Sequence, residues 1–138
     1  MRQMSVALTL GVLVGIAVGL AGARMLSAQQ PEIKRNELLR TELPDVAGKE
    51  AVVFTAEIPA GVVTGKHRHP GSELIYVLDG SYVLEVEGKG PLPLKAGDAR
   101  FAAPGEVHAT NSVRSTRPSK VLVFLIAEKG QPLAIPVQ

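Results

Sequence analysis

From Ala51 to Ala127 the chain is a succession of short apolar segments, each cut off by glycine, proline or aspartate before it could complete a helix of ordinary length. Ala51–Ile58 ends at Pro59-Ala60-Gly61. Leu74–Leu78 and Tyr82–Glu87 flank Asp79-Gly80, a dipeptide suited to a two-residue hairpin because both positions tolerate positive φ. Gly88-Lys89-Gly90 ends that arm, and Leu92-Pro93-Leu94 suits an edge strand, where a missing N–H does no harm. Gly97-Asp98 leads into Ala99–Ala102, Pro104-Gly105 into Val107–Thr110, and Asn111–Ser119 is a polar loop. Val121–Ala127 is apolar throughout, as expected of a strand buried on both faces. There is neither helical periodicity nor an internal repeat, and the 14 Gly and 10 Pro fit many strands joined by tight turns. The segment therefore predicts an all-β sandwich or barrel over residues 41–138, with 29–40 as a polar linker running into a first edge strand.

The N-terminus has a different character. Arg2 precedes an uncharged stretch from Gln3 to Ala23, the pattern of a secretory signal peptide within residues 1–28. Ala21-Gly22-Ala23 and Leu26-Ser27-Ala28 are alternative cleavage sites. The run also approaches the ~20 residues that span a bilayer, so an uncleaved N-terminal membrane anchor is the alternative, with Gly11, Gly15 and Gly19 at helix-packing spacing. Either way the domain is expected in the periplasm or at the outer face of the cytoplasmic membrane. The absence of Cys excludes disulfides, thiolate metal sites and a cysteine nucleophile. A net charge of +2, with scattered Lys and Arg and no Trp, gives no nucleic-acid surface.

The three histidines carry most of the chemistry. His67 and His69 share one face if they lie on a strand, Glu73 follows a Pro70-Gly71 bend, and His108 stands beside Pro104-Gly105. A lone His-x-His is also common on exposed strands. Three imidazoles and a carboxylate nevertheless suit a divalent transition metal such as Mn, Fe, Co, Ni, Cu or Zn.

The wider spacing sharpens this reading. Gly61, five residues, His67-Arg68-His69, three residues, Glu73, six residues and Gly80 resemble the first motif of the cupin family at each defining position. Gly97-Asp98, Pro104, Gly105, two residues, His108 and Asn111 are similar to the second motif. That motif departs from the family pattern at Ala103, where a Pro is usual, and at Asn111, which comes one residue early. The resemblance covers roughly residues 34–137. It implies a jelly-roll barrel, or double-stranded β-helix, with His67, His69, Glu73 and His108 as metal ligands near one mouth. It also implies an interior lined by Ile75, Val77, Phe101 and Phe124, and a homodimer.

Four protein ligands on a six-coordinate ion leave two positions for a small organic molecule, water or dioxygen. With every His assigned to the metal, none remains as an independent base, which counts against a sugar epimerase. Structural zinc usually includes Cys. Tyr76 and Tyr82 read as ordinary strand aromatics, and Glu85 and Glu87 as solvated. Arg68 should face away from the metal, and Arg100 should point outward if Phe101 points in. The resulting expectation is an exported metal-dependent cupin acting on a small organic molecule, such as an oxygenase. The alternatives are a non-enzymatic binder or sensor and a purely structural cupin.

Overall fold

The structure, a computed structural model, describes residues 32–138; the expected signal or anchor segment lies outside them. Ten strands make up the domain: β1 (Lys34–Glu42), β2 (Lys49–Ile58), β3 (His67–Arg68), β4 (Ser72–Asp79), β5 (Ser81–Val86), β6 (Gly90–Lys95), β7 (Ala99–Ala102), β8 (His108–Asn111), β9 (Ser119–Glu128) and β10 (Ile135–Pro136). They form two antiparallel five-stranded sheets, ordered β1-β2-β9-β4-β7 and β10-β3-β8-β5-β6. No described residue is helical, and the all-β class expected from the turn spacing and the jelly roll implied by the motif resemblance are the fold observed.

The core lies between the sheets. On β2, Val52, Phe54, Ala56 and Ile58 point inward, and on β9, Val121, Val123, Leu125 and Ala127 do the same. The facing sheet supplies Tyr82, Leu84 and Val86. Burying a side chain the size of Phe54 or Leu125 contributes about 1.5–3 kcal/mol. The pairing of β2 with β9 runs unbroken from Lys49 opposite Glu128 to Ile58 opposite Ser119. A one-residue slip there would turn every core side chain outward.

Three expectations need correction. Asp79-Gly80 does not make a hairpin, because β4 and β5 belong to different sheets. Only Gly80 has positive φ there (+78°), and it turns the chain from one sheet to the other. The true hairpin is β5–β6, turning through Gly88-Lys89-Gly90. Second, Val121–Ala127 is buried on one face only: Phe124 and Ile126 are exposed. Third, Phe101 and Phe124 lie on the outer surface rather than in the interior, where Ile75 and Val77 do sit. Phe101 stands opposite Leu74, and Leu74 opposite Phe124, so a row of Leu39, Val53, Phe124, Leu74 and Phe101 crosses the outer face of all five strands of the first sheet. Apolar character alone does not distinguish the two faces of such a sheet.

Two close approaches fix how the chain moves between sheets. A Cβ on Gly71 would stand 1.9 Å from the Ile126 carbonyl oxygen and 2.7 Å from Ala127 Cα. A Cβ on Gly80 would meet Ser119 Oγ at 2.5 Å and Pro118 O at 2.9 Å. Gly88 also has positive φ, +74°, but nothing lies within 4 Å of its Cβ position. Gly88→Ala should therefore lose only the left-handed preference, about 1–2 kcal/mol. Gly71→Ala and Gly80→Ala should cost about 3 kcal/mol or more, because backbone must move. Thermal melts read the difference at roughly 4–8 °C per kcal/mol. Equal melting temperatures for Gly80→Ala and Gly88→Ala would refute the packing argument.

Candidate metal centre

Both sheets contribute to the site. His67 on β3 lies directly opposite His108 on β8. His69 follows just past β3, and after the Pro70-Gly71 bend Glu73 enters from β4 in the other sheet. The ring centroids of His67 and His108 are 4.6 Å apart, and each lies 5.2 Å from that of His69. One ring nitrogen from each of the three lies within 4.8 Å of the others. Glu73 Oε1 is 3.2 Å from His69 Nε2, and Oε2 is 3.9 Å from His108 Nε2. His69, Glu73 and His108 are buried, while half-buried His67 stands toward solvent. The structure brings His67, His69, Glu73 and His108 together, and Arg68, between two of them, is exposed.

The outward ring nitrogens decide where the inward ones point. Nδ1 of His67 donates to the Gly65 carbonyl (3.2 Å) and Nδ1 of His69 to the Leu133 carbonyl (2.5 Å). A carbonyl only accepts, so both Nδ1 atoms carry the proton and both Nε2 lone pairs are free. His108 Nδ1 has no hydrogen-bond partner; its nearest carboxylate oxygen is Glu106 Oε1, 3.9 Å away. Glu106 is ion-paired with Arg100 from within and with Lys89 (3.0 Å) from the surface. Arg100 therefore does not point outward as expected. It stands opposite Ile75, whose side chain faces the core, and its own side chain is 9% exposed. The guanidinium is tolerated inside because Glu106 neutralises it.

A small cavity of about 40 Å³ opens among the four side chains. Tyr82, Thr110 and apolar groups such as Phe54, Leu84 and Val123 line the rest of it, and Arg35 closes one side. Tyr82 is thus a wall of the site rather than a plain strand aromatic, whereas Tyr76 is exposed. Arg35 went unnoticed in the sequence because a polar segment that pairs only at a sheet edge carries no local signal of what it faces. A larger open groove of about 750 Å³ along β5 and β6 contains no such cluster; Glu85 and Asp98 there are taken up by hydrogen bonds from Asn111 and the Lys95 N–H.

Burial dominates the electrostatics. It lowers the His67 pKa, brings His69 to about 4 and His108 to about 3, and raises Glu73 to about 7. Burial, reinforced by the charge of Glu73, also raises Tyr82, which keeps its phenol protonated. At neutral pH the imidazoles are uncharged with lone pairs ready, and Glu73 sits close to its own titration. Glu73 Oε2 is buried without a hydrogen-bond partner. A divalent cation would satisfy that oxygen and use all three nitrogens, so the donor set fits such an ion.

The pH dependence of the metal-free protein follows with its sign. The raised Glu73 pKa contributes stability that is complete below the unfolded value near 4.5 and lost as pH rises through about 7. The lowered histidines contribute stability present above 6.5 and lost as pH falls toward 4. Melting temperature in chelator should peak between these limits and fall from pH 6 to pH 8. Glu73→Gln should flatten that alkaline fall, and an unchanged slope in the variant would overturn the assignment.

The comparisons with known proteins agree with this geometry. Residues 54–125, just over half of the chain, match the family model described as Cupin domain. The chain is 33% identical over 86 residues to an oxalate-binding protein of Thermotoga maritima, covering 62% of this chain and 69% of that one. It is 32% identical over 78 residues to the dimethylsulfoniopropionate lyase DddQ of Ruegeria pomeroyi, which is 56% of this chain but only 38% of the lyase. The crystal structure of that lyase superposes with a TM-score of 0.65 at 22% identity, covering 97% of this chain and 70% of the other. The polyketide cyclase RemF of Streptomyces resistomycificus superposes at 0.60 with 26% identity, over 80% and 77% of the two chains. The family match falls on the segment that brings His67, His69, Glu73 and His108 together between the two sheets, and the chain belongs to the cupin family.

Proposed function

We propose that the domain holds one divalent transition metal at His67, His69, Glu73 and His108 and, through it, binds a small organic carboxylate. The observation that carries this reading is the convergence of three neutral imidazoles and one unpartnered buried carboxylate oxygen on a cavity of about 40 Å³. Mn, Fe, Co, Ni, Cu and Zn all suit these donors. When bound, such an ion supplies Lewis-acid positions for oxygen ligands. The protein's own groups would do the remainder: Glu73 would ligate as the carboxylate with its proton released to solvent, Tyr82 offers a phenolic hydrogen-bond donor, and the apolar walls limit water. Oxalate and dimethylsulfoniopropionate, the compounds in the relatives' names, are both small carboxylates. Binding takes precedence over the oxygenase reading because a relative matched over 69% of its length is named for binding oxalate.

Titration calorimetry of the full chain should give about one Zn(II) or Mn(II) per chain, and the loaded protein should bind oxalate. His108→Ala should weaken the metal by on the order of 100-fold or more, at or above the upper end of the loss caused by removing an outer-shell partner. Arg68→Ala should leave it intact. Full occupancy in His108→Ala together with loss in Arg68→Ala would sink the ligand set. Dioxygen uptake, or disappearance of the carboxylate by NMR, would instead make the protein an enzyme.

We further propose that the domain works outside the cytoplasm as a homodimer. Arg2 and the uncharged run Gln3–Ala23 support export by a cleaved signal or a retained anchor. The Leu39, Val53, Phe124, Leu74, Phe101 row supports self-association, since a charge-free strip meets its own copy without repulsion. Intact mass of the native protein and light scattering of a Phe124→Glu variant test the two: an unprocessed cytoplasmic chain, or a dimer indifferent to the variant, refutes them.

A further inference from the structure

Arg35 is the one charged group on the cavity wall that no feature of the proposed metal site uses. On β1 it stands opposite Ala56 of β2, whose side chain faces the core, so Arg35 is on the inward-looking face of its strand. The small Ala56 leaves space for a long side chain to lie toward the cavity, and Arg35 lines it beside His67, His69, Glu73 and Tyr82. Arg40 is paired with Glu37 and Glu50, Arg100 with Glu106 and Arg117 with Asp79, whereas the exposed Arg68 and Arg114 lie away from the cavity. Arg35 has no carboxylate partner among the described residues, and residues 1–31 contain no Asp or Glu to supply one. Arg35 remains exposed on its outer side, so its charge also faces the entrance.

The charge balance at the cavity then points one way. The three imidazoles are neutral and Glu73 contributes one negative charge when ionised. A divalent ion with Arg35 brings three positive charges, leaving an excess of two in a partly desolvated site. Arg100 and Glu106 form an ion pair and together leave that net count unchanged. An uncompensated charge held away from water is unfavourable, and a bound anion is the direct remedy. Size sets the other limit. A cavity of about 40 Å³ has room for an ion and very few ligand atoms, given that one water needs roughly 10–15 Å³ on the same measure. The remainder of a ligand must project toward the mouth, where Arg35 stands.

We propose that Arg35 is the anion-recognition residue of this site, selecting a compact ligand with two adjacent negative groups: one set of oxygens faces the metal and the outward oxygens meet the guanidinium. This rests on the metal-dependent carboxylate binding proposed above and assigns the second half of the recognition to an edge strand outside both cupin motifs. A planar guanidinium donates two parallel N–H groups and so suits two carboxylate oxygens side by side. A monocarboxylate bound to the ion places no such pair at the mouth.

The test uses the full chain loaded with Zn(II), as wild type, Arg35→Ala and Arg35→Lys, titrated with oxalate and with acetate. Arg35→Ala should weaken oxalate about tenfold to a hundredfold, the range for a charge-assisted hydrogen bond. It should change acetate by less than about threefold, and Arg35→Lys should recover part of the oxalate affinity because the charge is kept. Zn(II) affinity should stay equal or rise, since a like charge has been removed, and melting temperature confirms that the variants fold. If Arg35→Ala loses oxalate and acetate equally, or neither, while wild type binds oxalate, the role of Arg35 is refuted and metal-dependent binding stands. If wild-type Zn(II) protein binds neither carboxylate, both proposals fall.

Discussion

The buried Glu73 carboxyl sets the terms for everything around it. Removing an ionised carboxylate from water costs several kcal/mol unless a cation, a proton or donors replace the lost hydration. Oε1 has His69 Nε2 at 3.2 Å, and Oε2 has no partner. The same desolvation acts on the imidazoles with opposite sign, taking protons off His67, His69 and His108 while leaving one on Glu73 near neutrality. One physical cause therefore makes the acid resist ionisation and the bases resist protonation. A divalent ion held there would relieve both at once, and would tie metal binding, proton release and stability together.

Holding those four groups in register draws on distant parts of the chain. His67 and His108 are cross-strand neighbours in one sheet, and Glu73 belongs to the other. The passage between sheets works because Gly71 lets the backbone run against the Ile126 carbonyl, where no side chain fits. Leu133, beyond the last long strand, returns its carbonyl to His69, and β10 pairs with β3. The C-terminal segment is thus part of the ligand scaffold. His108 is the exception: it is held by packing beside the Arg100–Glu106 pair rather than by a bond at Nδ1.

Inner and outer faces of the first sheet reverse what hydrophobicity suggests. On β7 the aromatic Phe101 faces out and the cation Arg100 faces in. Strand parity links the two: with Glu73 and Ile75 inward on β4, their partners Ala102 and Arg100 must be inward as well. Glu106 then makes the buried guanidinium tolerable, and Phe101 joins an outer apolar row.

The sequence by itself determined the all-β class, through turn residues that recur before any helix can close, and pointed to His67, His69, Glu73 and His108 as a cluster, through a spacing that resembles the cupin motifs. It also placed Arg68 outside the cluster, since adjacent residues on a strand face opposite ways. Only the tertiary structure decided that Asp79-Gly80 joins two sheets, that Phe101 and Phe124 face solvent, and that Arg100 and Arg35 approach the site. Each of those depends on which strands pair and in what register. Register is set by long-range packing between segments far apart in the chain, such as β2 with β9 and β4 with β7, and local residue patterns carry no record of it.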